Sequence, residues 1–358
     1  MIVITPDASL LPHNTFGMDV KTAMLAEYET LDELRTVLDN PEIIRLMNEQ
    51  RNAGRLPFWH IGSGSNLLFT ADYPGVILHC KAQGIAVEKE DPSGTCLLRI
   101  QAGTIWDEVC AYCAENGLYG TENLSLIPGE TGAGAVQNIG AYGVELSDLI
   151  EQVICWDVEQ KKTKSFTAED MQYGYRESLL KHTEAKSRYI VNEVIIRVSR
   201  VPNLKLKYAG LLNALGLQAV PTDTSLLPSA MQVRQAVIAI RQGKLPDPKE
   251  LGNAGSFFKN PVVPNSIFEA LLAQYPTMPH YTVDEGHTKI PAGWMIEQCG
   301  WKGQSLGKAG VYEKQSLVLV NRGGATPAEI VALCEKVIAD VEARFGIRIE
   351  PEVNLITA

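Results

Sequence analysis

The amino-acid sequence predicts an α+β fold in three parts, and three observations support this class. Helix-capping signals occur near both ends of the chain, and short apolar runs bounded by turn residues predict strands between them. A stretch at 202–228, rich in proline and small polar residues, is the predicted domain boundary. A chain of 358 residues is long enough for two or three domains, each with its own core. We therefore divide it into 1–74, 75–201 and 202–346, with 347–358 as a C-terminal strand.

In the first two parts, Thr30 and Glu33 form a capping box that opens a helix through Leu38. A strand, a tight glycine turn and a second strand are predicted at 58–69. The other predicted elements are strands at 76–79 and 96–101, a helix at 105–116, a hairpin of 153–158 with 164–167, and a strand at 189–198.

In the last part, Thr326 and Glu329 supply the two ends of a capping box, and Pro327 occupies the first helical turn. Gly346 ends this long helix. Its predicted buried stripe consists of Ile330, Val331, Cys334, Val337, Ile338 and Val341. Ahead of it, the pattern predicts helices near 229–242 and 264–275 and a strand at 316–321.

Charge and composition argue against several functional classes. The net charge of −10 argues against nucleic acid or an anionic membrane as a general partner. No apolar run approaches a membrane span, and the first residues lack the basic flank and apolar core of a signal peptide. Seven cysteines, an odd number, suit a reduced cytoplasmic protein. Cys110 and Cys113 share one helical face with Trp106 and Val109, which favours packing, and the six histidines show no metal-ligand spacing, so we expect no metal site.

Two glycine-rich segments are the strongest functional signal. Residues 117–143 are nearly uncharged but keep apolar anchors that a flexible linker would lack. Residues 61–68, IGSGSNLL, lie between two apolar runs. Glycines this dense expose backbone N–H groups that form a concave nest for a pyrophosphate, whereas a single cluster would more simply be a packed loop. Because a Rossmann fingerprint needs a third glycine and a helix, and a P-loop needs Lys-Ser/Thr, we expect a flavin dinucleotide held by loops.

Eight motifs, in order along the chain, resemble those of the UDP-N-acetylenolpyruvoylglucosamine reductase family. They are NTFG at 14–17, GSGSNLLF at 62–69, IPGETGAGAVQNIGAYGVEL at 127–146, GYRES at 174–178, KLPDP at 244–248, NAGSFFKNPVV at 253–263, AGWMIEQCGWKG at 292–303 and EPEVNLI at 350–356. The resemblance implies that the first two parts form a two-part FAD-binding domain of the vanillyl-alcohol-oxidase (PCMH) type. The third part is then an α+β substrate-binding domain, and the C-terminal strand returns to the active site.

The resemblance also implies a reaction. The family reduces the enolpyruvyl double bond of UDP-N-acetylglucosamine enolpyruvate to give UDP-N-acetylmuramate, a peptidoglycan precursor, with NADPH as reductant. Ser256 matches the residue that gives a proton to carbon, and Arg176 matches the cation that faces the developing carboxylate charge. Glu352 matches the third catalytic position, and we expect its pKa to be raised because an acid there helps only as a hydrogen-bond donor.

The remaining site residues come from the same motifs. FAD is expected to be non-covalent because residues 62–66 contain no histidine, although His60 lies just before them. Tyr208 resembles the tyrosine on the mobile loop that marks the first of the two types of this family. The expected substrate ligands are Tyr208, Lys244, Asn260 and Lys302. The expected cofactor ligands are Gly62, Ser63, Gly64, Ser65, Asn66, Pro128, Gly129, Gly132, Gln137, Asn138, Gly140 and Arg241.

Two positions depart from the family pattern. The family often carries proline at Ala135 and arginine at Asn354, so we expect a less rigid flavin loop and one cation fewer near the site. One alternative is another flavin oxidase or dehydrogenase of the same superfamily. A second is a non-catalytic nucleotide-sugar-binding protein, which the joint presence of Arg176, Ser256 and Glu352 disfavours.

Overall fold

The computed structural model describes residues 1–357, which form two compact units. The first unit comprises Met1–Ala8, Thr22–Ser63 and Pro74–Gly243. The second comprises Ser9–Lys21, Gly64–Tyr73 and the residues from Lys244 onward. The domain limits inferred from the sequence stay predictions.

The first unit contains a four-stranded and a five-stranded sheet. The four-stranded sheet consists of β1 (Val3–Ser9), β2 (Lys21–Tyr28), β3 (Phe58–Ile61) and β5 (Tyr73–Cys80), in the order β1-β2-β5-β3. The five-stranded sheet consists of β6 (Ile85–Glu90), β7 (Thr95–Gln101), β10 (Ile150–Asp157), β11 (Lys162–Thr167) and β12 (Tyr189–Ser199), in the order β11-β10-β12-β7-β6. The five-stranded sheet is antiparallel, whereas β3 and β5 pair in parallel.

The first unit also contains helices. They are α1 (Leu31–Leu38), α2 (Pro41–Asn52), α3 (Trp106–Glu115), α4 (Thr131–Gln137), α5 (Thr183–Lys186), α6 (Ala209–Ala214) and α7 (Ala230–Lys244), the last of which ends at the first residue of the second unit. A small hairpin pairs β8 (Gly140–Ala141) with β9 (Val144–Glu145). One buried core includes Leu34 of α1, Val76 of β5 and Trp106 of α3.

The second unit is built on a four-stranded antiparallel sheet. Its strands are β13 (Gly252–Ser256), β17 (Ser305–Leu306), β18 (Ala309–Val311) and β19 (Val318–Asn321), in the order β13-β19-β18-β17. Smaller sheets consist of β14 (Val262–Pro264), β15 (Tyr281–Thr282) and β16 (His287–Lys289), and of β4 (Leu67–Phe69) paired in parallel with β20 (Asn354–Ile356). The helices are α8 (Asn265–Gln274), α9 (Ala292–Gln298) and α10 (Pro327–Phe345).

The mixture of sheets and helices confirms the predicted α+β class. The Thr30 side chain accepts from the Glu33 N–H at the start of α1, and Thr326 and Glu329 form the predicted capping box of α10. Gly346 ends α10 in the left-handed conformation, as expected. In the buried stripe of α10, Leu333 is buried and Val331 only half-buried, which differs from the expected stripe.

Two short helices, α4 and α6, lie in segments that the sequence analysis treated as irregular. Cys110 and Cys113 are buried in α3, which confirms the packing interpretation. Within residues 1–357, no helix combines the length and apolar character needed to cross a membrane.

Candidate functional site

The first glycine segment is the turn between β3 and β4, which carries Gly62, Ser63, Gly64, Ser65 and Asn66. In the first unit, a Cβ at Gly62 would lie 3.1 Å from Glu130 Oε2 and 3.2 Å from Ala133 Cβ. In the second unit, Gly64 has a φ of +68°, and a Cβ there would come within 2.7 Å of Asn14 Cα. The Asn66 carbonyl accepts hydrogen bonds from the backbone N–H and the side-chain amide of Asn354, at 3.1 and 3.0 Å. Gly62 and Gly64 therefore allow close packing that a side chain would prevent. A concave nest of backbone N–H groups needs the same freedom from side chains.

The second glycine segment leads into α4, against the backbone of residues 102–106. The Trp106 N–H donates to the Gly129 carbonyl at 3.0 Å, and the Gly132 N–H donates to the Ala102 carbonyl at 2.9 Å. A Cβ at Gly132 would lie 2.8 Å from the Ala102 Cβ, so only glycine fits there without a shift. Pro128 and Gly129 lie just before Glu130, the residue that precedes α4, and Gln137 is the last residue of α4.

Asn138 ends α4 in the left-handed conformation, with φ of +47°. Its side-chain amide donates to Glu145 Oε2 and to the Gly174 carbonyl, both at 2.8 Å, and its Oδ1 accepts from the Ser147 N–H. Asparagine tolerates this conformation better than most residues. Because its side chain is engaged within the protein, Asn138 can offer a cofactor chiefly its backbone.

Ala135 is buried in α4, and its carbonyl accepts from the Tyr173 hydroxyl at 3.0 Å. The Ser178 hydroxyl similarly donates to the Val136 carbonyl at 2.6 Å. The segment that contains GYRES thus satisfies carbonyls at the end of α4, which α-helices otherwise leave open. These bonds constrain the loop around Ala135, where the absence of proline predicts a less rigid segment.

Arg176 lies beside the end of α4. Its Nη2 donates to the Gly140 carbonyl at 2.6 Å, and its own carbonyl accepts from Lys181 Nζ at 2.6 Å. Its backbone φ of +56° is unusual for arginine, and such strain concentrates at functional sites. A Cβ at Gly140 would lie 2.8 Å from Arg176 Nη1, so the guanidinium position also depends on glycine there.

Arg241 of α7 is a second arginine whose charge interacts with that of Arg176. Its Nε donates to the Leu126 carbonyl at 3.2 Å. Burial lowers the pKa of the Arg241 guanidinium, and the positive charge of Arg176 lowers it further. When an anion binds beside a desolvated cation that is close to another cation, the anion stabilises the charged form of that cation. These two arginines therefore provide an electrostatic environment suited to a phosphate or carboxylate.

The position of Leu126 depends on a partly buried ion pair that sequence reasoning missed. Leu126 has a φ of +58°, and its N–H donates to Asp107 Oδ1 at 2.5 Å. Arg234 of α7 forms a bidentate salt bridge with the same carboxylate, in which Nη1 lies 2.5 Å from Oδ1 and Nη2 lies 2.9 Å from Oδ2. Because 127 residues separate Arg234 from Asp107, no local pattern in the sequence indicates this pair.

Tyr208 is exposed and immediately precedes α6. Its ring packs edge-on against Tyr142, with centroids 5.3 Å apart. The Asn123 amide donates to the carbonyls of Tyr142 and Lys205, both at 2.9 Å, and so ties the two loops together. The aromatic pair thus lies on loops anchored by one buried side chain.

In the second unit, Ser256 and Glu352 belong to adjacent segments. Ser256 is the last residue of β13, between Gly255, with φ of +69°, and the buried Phe257. The Glu352 N–H donates to the Phe257 carbonyl at 2.7 Å, and the Lys259 N–H donates to the Glu350 carbonyl at 2.9 Å. Two motifs that lie about a hundred residues apart in sequence therefore run side by side, which brings two of the three predicted catalytic residues into one neighbourhood.

The predicted substrate ligands of the second unit have other partners as well. Asn260 Oδ1 accepts from the Ala292 N–H at 2.9 Å at the start of α9, and Lys302 pairs with Glu297 at 2.8 Å. Lys244 is exposed at the end of α7. Asn354, where the family often carries arginine, uses its amide to hold the glycine turn through Asn66.

Comparisons with known proteins cover nearly the whole chain. A family model described as UDP-N-acetylenolpyruvoylglucosamine reductase, C-terminal domain, matches residues 247–356, and one described as FAD binding domain matches 30–158. The UDP-N-acetylenolpyruvoylglucosamine reductase of Bacteroides fragilis (strain YCH46) is 48% identical over 97% of this chain and 98% of its own length. The protein of the same name from Porphyromonas gingivalis (strain ATCC 33277) is 42% identical, over 99% of each chain.

A solved structure shows the same fold. The crystal structure of UDP-N-acetylenolpyruvylglucosamine reductase from Thermus caldophilus matches 99% of this chain and 98% of its own, with a TM-score of 0.64 and 20% identity. Together with the family models, this match confirms the predicted fold class, an FAD-binding domain followed by an α+β C-terminal domain. The sequence resemblance is confirmed as well.

Proposed function

This chain belongs to the UDP-N-acetylenolpyruvoylglucosamine reductase family, and we propose that it reduces UDP-N-acetylglucosamine enolpyruvate to UDP-N-acetylmuramate with bound FAD and with NADPH as reductant. The observation that carries this proposal is 48% identity to a reductase of that name over almost the full length of both chains. The reaction consumes NADPH to prepare a peptidoglycan precursor. We also propose a cytoplasmic location, which suits the free thiols of the seven cysteines.

The residues present fit a flavin dinucleotide. Gly62, Gly64 and Gly132 each occupy a position that a Cβ would crowd, so backbone N–H groups can approach a pyrophosphate closely. Ser63, Ser65 and Asn66 share the first turn; Pro128, Gly129, Gln137, Asn138 and Gly140 line the second segment, with Arg241 as a nearby cation. Bound FAD would supply the hydride that adds to the distal carbon of the enolpyruvyl double bond.

The protein residues supply the proton and stabilise the charge. We assign Ser256 as the donor of the proton to the other carbon, since Gly255 and buried Phe257 flank its hydroxyl. Arg176 is assigned to the substrate carboxylate, where charge accumulates as the hydride adds. Glu352 is assigned to the same charge as a hydrogen-bond donor, which requires the protonated acid.

The substrate's diphosphate is assigned to Lys244, Asn260 and Lys302, and Tyr208 to a position over the bound substrate. Asn260 Oδ1 is engaged by the Ala292 N–H, so its amide nitrogen is the group that would face a phosphate oxygen. Lys302 would exchange its exposed pair with Glu297 for the phosphate. Exposed ion pairs of this kind contribute little to stability, so breaking the pair costs little free energy.

An anaerobic visible spectrum of the purified protein tests the proposal. We expect a yellow protein that bleaches with NADPH and recolours when UDP-N-acetylglucosamine enolpyruvate is added. Bleaching without recolouring would keep the flavoprotein and reject the substrate, in favour of another flavin enzyme. A colourless protein that takes up no added FAD would reject the cofactor assignment and favour a non-catalytic binding protein.

A further inference from the structure

A buried polar cluster lies behind the first glycine turn and has no role in the reaction described above. The Glu130 and His79 side chains are only 8% and 7% exposed. His79 Nε2 lies 3.0 Å from Glu130 Oε1, and His79 Nδ1 lies 3.1 Å from Glu27 Oε1. The Ser63 hydroxyl donates to Glu130 Oε1 at 2.9 Å. Lys81 Nζ approaches Glu27 at 3.7 Å.

The contacts of His79 involve both of its ring nitrogens. A neutral imidazole has a single N–H donor, whereas both ring nitrogens of His79 face carboxylate oxygens. Both contacts are satisfied when the ring is an imidazolium, which donates from each nitrogen. The neighbouring His60 is neutral, because burial, with a contribution from the charge of His79, lowers its pKa to about 3. In the arrangement proposed below, the imidazolium of His79 balances the Glu130 carboxylate.

Glu130 occupies a position where its charge matters for an anionic ligand. It directly precedes α4 and follows Gly129, and its Oε2 would lie 3.1 Å from a Cβ at Gly62. Its carboxylate is thus packed against the turn assigned to the pyrophosphate. A buried carboxylate without a counter-charge would repel that pyrophosphate across a medium of low dielectric constant.

We propose that Glu27, His79 and Glu130 form a positioning relay for the cofactor, in which Glu130 holds the Ser63 hydroxyl while His79 neutralises Glu130. The proposal rests on the proposed function, because it places the FAD pyrophosphate on the first glycine turn. Because the Ser63 hydroxyl donates a hydrogen bond to Glu130, the group of Ser63 that would bind the phosphate is its backbone N–H. Glu27, paired with Lys81, orients the imidazole from the other side.

The test is a charge-rescue experiment on FAD affinity, measured by titration of the apoprotein. His79→Gln should weaken FAD binding by about tenfold or more, because it leaves the buried Glu130 carboxylate without its counter-charge beside an anionic ligand. Glu130→Gln keeps an oxygen acceptor for Ser63 but leaves the charge of His79 unbalanced, so it should bind the anionic FAD as tightly as wild type or more tightly. The double variant should also return to within about threefold of wild type, because it removes both charges. His60→Gln is the matched control, and it should change affinity less than threefold.

Other outcomes overturn the relay. Equal weakening in His79→Gln and in the double variant would mean that His79 acts by packing. Unchanged affinity in His79→Gln would also reject it, while leaving the proposed function intact. If His79→Gln fails to fold, the double variant is expected to fold and bind FAD, and its failure too would reject a charge role. A wild-type protein that binds no FAD would instead overturn the proposed function, and the relay with it.

Discussion

Gly64→Ala should disrupt the first glycine turn far more than the backbone conformation alone would predict. Gly64 has a φ of +68°, and an added Cβ would lie 2.7 Å from both the His13 carbonyl carbon and Asn14 Cα, and closer still to the His13 oxygen. The contacts to these two carbons must open by about 0.7 Å to reach ordinary van der Waals contact near 3.4 Å. Because the neighbours are backbone atoms, no side-chain rotation relieves the overlap.

Gly346→Ala is a matched control within the same unit. Gly346 has a φ of +67°, but a Cβ there would meet nothing within 4 Å. Both variants incur the left-handed strain of roughly 1 kcal/mol, whereas only Gly64→Ala adds overpacking of about 1–3 kcal/mol. Thermal unfolding of the apoprotein should show a fall in Tm of about 2 °C for Gly346→Ala and about 6 °C or more for Gly64→Ala. Equal losses would refute the clash argument, and unchanged FAD affinity in Gly64→Ala would show that this turn does not hold the cofactor.

Three further predictions follow from the site and its supports. In stopped-flow measurements, Ser256→Ala should leave reduction of the flavin by NADPH intact but slow reoxidation of the flavin by substrate by roughly 10²- to 10⁴-fold. Slow reduction by NADPH would instead indicate a structural role for Ser256. Asp107→Asn should destabilise the protein by about 2 kcal/mol, and it should weaken FAD binding roughly tenfold because Leu126 links Asp107 to Arg241. Chemical denaturation measures the first effect and titration of the apoprotein with FAD the second. A loss of stability with unchanged FAD affinity would remove Arg241 from the cofactor site. Thr326→Ala should cost about 1 kcal/mol of stability with no change in kinetics, and an effect on turnover would contradict a purely capping role.

The sequence predicts elements whose stabilising groups are local. The start of α10 depends on Thr326 and Glu329, three residues apart, and its end depends on Gly346, so the capping pattern is sufficient to locate it. The strands β7 and β12 are similarly indicated by their own apolar runs. For these elements, local propensity and tertiary packing agree, and the prediction succeeds.

Elements stabilised from a distance could not be predicted in the same way. The sequence of α4, TGAGAVQ, has two glycines and little intrinsic helix propensity. It forms because its first turn bonds the backbone at Thr104 and Ala102, and its carbonyls accept from Tyr173 and other distant donors. The glycine pattern indicates both loop segments, but the reason that Gly64 must be glycine lies in the backbone at His13. For the same reason, the ion pair of Asp107 with its distant arginine became visible only in the folded chain.

The parallel pairing of β4 with β20 has a consequence for biosynthesis. The Asn66 carbonyl in the first glycine turn is held by Asn354, which is 288 residues further along the chain. At about 5–20 residues per second, a ribosome needs roughly 15 to 60 s between these two positions. During that interval the turn lacks two of its hydrogen bonds, so a nascent chain should acquire FAD only after residues 354–356 emerge. Cofactor loading would then wait for this late strand, and a chain that stalls before those residues would stay colourless and open to proteolysis.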